Sequence, residues 1–184
     1  MNTLHHVIIT PSTISLDNLP VAIDACGGEM LSQVYRTKIG GYAKFFKMDT
    51  LCRLGFIASE LLLQAEASER FVERDDRAVL LFNRYSSLCA DRRYFATIRD
   101  KDNYFPGPAQ FVYTLANIVT GEIAIRNKYY GETSFFVLPE RNDEEIASII
   151  MASASDPATH SAIAGWLDCS DDDHFEADLQ LIQF

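Results

Sequence analysis

Phe105-Pro-Gly-Pro-Ala-Gln-Phe-Val-Tyr-Thr-Leu-Ala-Asn-Ile-Val-Thr-Gly-Glu-Ile-Ala-Ile-Arg126, with the run through Gly131 to Glu140, decides how this sequence is read. It reads as a loop, a long buried helix, a glycine turn and a strand over Thr133 to Leu138. Pro108 suits a first helical turn, where its missing N–H costs nothing. Phe111, Leu115, Ile118, Glu122 and Ile125 recur at three- and four-residue steps, which predicts one mostly apolar face. Ala116, Thr120, Gly121 and Ala124 supply small residues for close packing on another. Gly131 fits a helix-to-strand turn. Pro139-Glu140-Arg141-Asn142-Asp143 then opens a further helix. In α/β enzymes such a strand–turn–helix often carries the nucleophile, yet this turn holds neither Cys nor Ser.

The chain has 184 residues, enough for one domain with a core, and 48% of them are apolar, which excludes a disordered chain. A formal net charge of -10 argues against nucleic acid or an anionic membrane as partner. Cys26, Cys52, Cys89 and Cys169 form no CxxC pair and read as free thiols in a reducing compartment. With no signal-like segment and no apolar run long enough for a bilayer, the expectation is a cytoplasmic protein without cofactor.

Outward from the central stretch, His5 to Thr10 is a first strand ended by Pro11. His5 and His6 point to opposite faces of such a strand, so ordinary strand residues are the plainer reading and a metal pair the sharper one. Residues 11–41 read as an irregular surface excursion with room for a short helix. Lys44 to Ala67 is a strongly apolar helix with Asp49 in its first turn, where a carboxylate suits the dipole. Ala78 to Phe82 is a continuous apolar run, as in a strand covered on both faces. Ser86, Ser87 and Cys89 leave the C-terminal end of that strand, where ligands sit in parallel α/β sheets, although loop polarity explains them as well. Asp143 to Ala154 is a helix, and Ser161 to Leu167 is another buried strand. Asp171 to Asp173 is either a solvated turn or a weak metal candidate. His174 to Phe184 alternates as a final strand with one wet face, placed antiparallel at an edge. This order implies one domain, residues 1–184, of α/β class: a layered, mainly parallel mixed sheet with a buried central helix and flanking helices.

Lys44 to Cys169 resembles the N-terminal half of a β-ketoacyl-ACP synthase, a member of the thiolase-like superfamily. Leu115-Ala-Asn117 and Gly121-Glu-Ile-Ala-Ile125 look like that family's helix ahead of the catalytic strand. Met48-Asp49 and Ile163-Ala-Gly-Trp-Leu-Asp168 look like its early helix and a later strand. The resemblance spans about two-thirds of these residues and half of a full synthase. Two departures matter. The family's nucleophilic Cys falls at or beside Glu140, and the C-terminal half that supplies two active-site histidines has no counterpart among these residues. Condensation needs a thiolate to hold the acyl group and donors for the oxyanion. Glu140 then either keeps a part in decarboxylation or an acyl pocket, or merely charges a helix N-terminus.

The resemblance implies a noncatalytic, chain-length-factor-like accessory subunit in fatty-acid or polyketide-type biosynthesis. It would pair with an active ketosynthase subunit or with itself through Thr133–Leu138. Two other readings stand beside it. One is a small enzyme built on Ser86, Ser87, Cys89 and Asn117. The other is an acyl- or acyl-carrier-protein-binding module that uses the basic residues Arg84, Arg92, Arg93, Arg99 and Lys101, although Asp91, Asp100 and Asp102 sit among them.

Overall fold

The computed structural model describes residues 1–102 and 104–184. Its centre is β4 (Arg77–Asn83), whose seven residues are all buried. Such an apolar run is stable only with a neighbour on each edge and a layer on each face. β5 (Thr133–Val137) and β6 (Ser161–Cys169) flank it, both parallel to it. Parallel neighbours require crossovers. Residues between β4 and β5 form α3 (Leu88–Ile98), the short α4 (Pro108–Phe111) and α5 (Ile118–Asn127). α6 (Asp143–Ser153) joins β5 to β6. From β6 the chain turns back through residues 170–174 into β7 (Phe175–Gln183), antiparallel to β6. β1 (Asn2–Ile9) pairs antiparallel with β7, and β2 (Ile14–Leu16) and β3 (Leu19–Pro20) extend that side. The order is β3-β2-β1-β7-β6-β4-β5.

α2 (Thr50–Glu66) lies across one face of the sheet. Its Leu54, Phe56, Ile57 and Leu62 meet Val7, Ile9, Ile163, Leu167, Leu179 and Leu181 in the larger core. Asp49 caps it, its Oδ1 accepting the Cys52 N–H at 3.0 Å. Gly55 lets α2 come close to its neighbours: a Cβ there would lie 2.5 Å from Val119 Cγ2 and 2.9 Å from Leu167 Cδ2. On the opposite face α6 sets Ile146 and Ile150 over Leu80, Phe82, Ala164, Trp166 and Ile182. Among the described residues no helix is long and apolar enough to cross a membrane.

The layered, mixed α/β sheet with a buried helix is the expected architecture, and four details differ. First, the parallel ladders are β4–β5 and β4–β6, and the other four ladders between the named strands are antiparallel. Secondly, β7 lies inside the sheet between β1 and β6, because β1 returns to cover it. Thirdly, the segment over residues 11–41 contains β2, β3 and α1 (Gly27–Val34). Fourthly, the long helix from Pro108 is broken. α4 passes into a tight 3₁₀ turn at Val112–Thr114, and Leu115 is extended (φ -100°, ψ 108°) before α5 begins. Val112, Thr114 and Asn117 are weak helix formers. The break shifts the phase of α5. Phe111, Leu115 and Ile125 are exposed, while Val119, Ile123 and Ala124 face the core. The buried central helix is therefore α2. Gly131 is required by close approach: a Cβ there would stand 2.7 Å from the carbonyl oxygens of both Asp75 and Arg77. The left-handed residue that ends α5 is Lys128, φ +58°.

Candidate functional site

At the C-terminal end of β4, Asn83 folds the chain back. Its Nδ2 donates to the Ser86 carbonyl at 2.9 Å, and its Oδ1 accepts the Ser86 N–H at 3.0 Å. Ser86 is held at φ +50° by this turn. The buried Ser87 donates its hydroxyl to the Thr114 carbonyl at 2.7 Å, tying the start of α3 to the turn before α5. Asp168, near the end of β6, accepts the N–H groups of Arg84 (3.3 Å) and Tyr85 (3.2 Å). The Ser87 hydroxyl also lies 3.2 Å from Asp91 Oδ1, so it is engaged within the fold.

One turn further along α3, the side chains form a polar cluster. Arg93 pairs with Asp172, whose carboxylate also accepts the Thr50 hydroxyl. Arg92 donates to the Ser170 carbonyl at 3.2 Å. Both arginines therefore grip the turn between β6 and β7. Although burial works against it, hydrogen bonds from Thr50 and Arg93 hold the Asp172 carboxyl below the usual carboxylate range. Asp49 is enclosed in the same corner. Burial pushes its carboxyl up to about 6, against the Cys52 N–H bond and the charge of Arg93. Cys89 and Cys169 both reach this turn: Cys169 Sγ donates to the Asp171 carbonyl at 3.2 Å, and Cys89 Sγ lies 4.0 Å from Asp172 Oδ1. The hydrogen bond from Cys169, aided by the charge of Arg93, lowers the Cys89 thiol. The same hydrogen bond, followed by burial, raises that of Cys169. Beside this corner a cavity of about 450 Å³ is lined by Arg84, Tyr85, Asp168, Cys169 and His174. A smaller one of about 200 Å³ touches Asp49, Arg93, Gln110 and Tyr113.

Of the residues singled out from sequence, Ser86, Ser87, Cys89, Arg92 and Arg93 come together on the strand end and first turns of α3. Asn117 stands apart and exposed at the start of α5, its carbonyl accepting the Thr120 hydroxyl at 2.8 Å. Glu140 is exposed in the turn between β5 and α6. The helix cap there is Asn142, whose Oδ1 accepts the N–H groups of Glu144 and Glu145, each at 3.1 Å. Asp49, Thr50, Cys169 and Asp172 are members of the cluster that sequence reasoning missed. Asp49-Thr50 carried a capping signal, whereas Asp172 looked like part of a solvated run. His5 sits on Asp17 (2.7 Å), His6 on Asp178 (2.6 Å) and His174 on Asp171 (2.8 Å). Among the described residues, no group of three His, Cys, Asp or Glu side chains is arranged to hold a metal ion.

The second feature is the outer edge of β5. Among the described residues the strand has a neighbour on one side only. Glu132 O accepts the Val79 N–H, and the Leu138 N–H donates to Asn83 O, both at 2.8 Å. Strand alternation then turns the N–H and C=O groups of Thr133, Phe135 and Val137 outward. Phe136 stacks on Phe82 at 4.9 Å, so the strand is anchored from within. Val137 is 53% exposed, and Ile125 and Tyr130 are exposed nearby in the chain. An open, apolar strand edge of this kind is a template for pairing with another chain.

No family model and no curated protein matches the sequence. Among solved structures, the ishigamide ketosynthase/chain length factor superposes with a TM-score of 0.68 at 13% identity, over 99% of this chain. The complex of a ketosynthase (ApeO) with its chain length factor (ApeC) from Xenorhabdus doucetiae gives 0.64 at 12% identity, over 100% of this chain. This chain spans 61% of the first protein's length and 79% of the second's. At such identities the likeness is one of fold alone, shared with these ketosynthase/chain length factor structures.

Proposed function

We propose that this chain is a noncatalytic, chain-length-factor-like subunit that pairs with an active ketosynthase through β5 in polyketide- or fatty-acid-type synthesis. The observation that carries this reading is the outer edge of β5, which leads straight into Leu138-Pro139-Glu140-Arg141, a turn without thiol or hydroxyl. The edge offers backbone groups and apolar surface to a partner strand, and the turn offers nothing to hold an acyl group covalently. The ketosynthase/chain length factor complexes that share the fold support it. A partner of different sequence is favoured over a second copy, because two chains of net charge -10 repel one another.

Native mass spectrometry of the full chain, alone and with a ketosynthase from the same source, tests the reading. A stable one-to-one complex is expected, with condensing activity that survives removal of Glu140's carboxylate (Glu140→Gln). A chain that ignores the synthase, or that forms an acyl-enzyme by itself, would end it.

A further inference from the structure

Asp168 stands near the C-terminal end of β6, beside the end of the parallel strand β4, which is where ligands gather in α/β sheets. It is only 7% exposed. Its Oδ1 accepts the N–H groups of Arg84 and Tyr85. Among the described residues its Oδ2 enters no hydrogen bond, and the buried side-chain atoms that lack a partner are Nε of Arg53, Arg70 and Arg126. Asp168 Oδ2 is therefore open, and the opening is the cavity of about 450 Å³ that Asp168 lines. The guanidinium of Arg84 does not serve this oxygen. It lies 4.3 Å from the Tyr85 ring centroid and donates to the Tyr85 hydroxyl at 2.5 Å. A carboxylate this deeply enclosed is costly unless a counter-charge meets it.

We propose that the cavity at the ends of β4 and β6 binds a small organic ammonium ion with an apolar body. The ammonium donates to Asp168 Oδ2, while Oδ1 keeps the two N–H groups that shape the strand end. Glu176 adds a second negative charge to the lining, and Tyr85 and Phe175 offer aromatic surface to the body of the ligand and to its charge. The chain's net charge of -10 draws cations toward the opening. An anion meets two carboxylates there, and a neutral ligand leaves Asp168 without its counter-charge. With no group of three metal-ligating side chains among the described residues, an organic cation fits better than a metal ion. The cavity volume lies within the range of small-molecule sites, about 300–1,000 Å³. The site is separate from the β5 edge, and the inference does not rest on pairing through that strand.

The test titrates the full, isotope-labelled chain at neutral pH with phenethylamine hydrochloride and follows the backbone amide signals by NMR. The Arg84 and Tyr85 amides, which bond Asp168, are expected to shift and to saturate. 2-Phenylethanol, the same body without the charge, should bind at least about tenfold more weakly, and phenylacetate should leave both amides in place. Asp168→Asn keeps an oxygen for the two N–H groups and should weaken phenethylamine binding by about tenfold or more. The alcohol and the amine shifting the two amides alike would overturn the proposal, and that comparison uses wild type alone, so it does not depend on the variant folding. Amine shifts that never saturate, or that fall on acidic surface away from the two amides, would overturn it as well. So would a folded Asp168→Asn chain that binds the amine as tightly as wild type.

Discussion

Replacing Asp49 by Asn separates the electrostatic cost of its burial from its service as a helix cap. Asn keeps an oxygen for the Cys52 N–H, now 3.0 Å away, and Asn and Asp cap helices about equally well. What changes is charge. The Asp49 carboxyl titrates at about 6 in the fold, chiefly through burial, net of the opposing Arg93 and Arg53 charges. In the unfolded chain an aspartate titrates near 3.9. A carboxyl raised by folding stabilises fully below its unfolded value and loses that contribution as pH rises through its folded value. Over the whole range the loss is about 3 kcal/mol, and between about pH 5 and 7.5 it is about 1.4 kcal/mol. Urea unfolding of wild type and Asp49→Asn at those two pH values reads it directly. The variant is expected to gain about 1.4 kcal/mol on wild type between the lower and the higher pH. Asp49→Ala should show the same pH trend, offset downward by about 1 kcal/mol for the lost cap. A wild-type-minus-variant difference that is flat with pH, or that moves the other way, would refute the reasoning.

Other outcomes follow from the same geometry. Arg77, 2% exposed, donates to Glu66 at 2.5 and 2.9 Å and to Ser161 at 2.9 Å. Arg77→Met leaves Glu66 without its partner and should cost about 3 kcal/mol in urea unfolding at neutral pH. That pairing, working against burial, holds the Glu66 carboxyl below its usual range. Its contribution is present above the unfolded value and lost as pH falls through the folded one, so the deficit of Arg77→Met should shrink in acid. Gly131→Ala drives a methyl against two backbone oxygens and should destabilise by about 1–3 kcal/mol, measured the same way. Val137→Pro removes an outward N–H and no bond to β4. It should fold within about 1 kcal/mol of wild type yet lose synthase pairing in native mass spectrometry.

The strands with strict patterns were legible from sequence: the apolar run Ala78–Phe82 within β4, the alternating β7 and the run that became β5. The glycine turn into β5 was legible too, although its reason is the crowding by Asp75 and Arg77 backbone, which no local pattern reports. Where helical periodicity misled, tertiary packing had the last word. Phe111, Leu115 and Ile125 fit a helical stripe only if the helix is continuous, and the extended Leu115 breaks it. The antiparallel share of the sheet depends on β1 returning to β7, a pairing of the two ends of the sequence that spacing cannot show. At the candidate site, the residues leaving β4 were legible as a group because strand ends gather polar residues. Their partners were not. Asp172 and Cys169 arrive from the far end of the sequence, and the charged run around Asp172 looks solvated until Arg93 and Thr50 are seen against it.

Amide hydrogen exchange across Thr133–Val137, in the free chain and in complex with the ketosynthase, bears most directly on the idea that β5 is the pairing edge. The outward amides of Thr133, Phe135 and Val137 should exchange fast in the free chain and slow strongly in the complex, while β4 stays protected in both. A complex that forms with those three amides exchanging as fast as before would place the partner elsewhere and contradict the proposed role of β5.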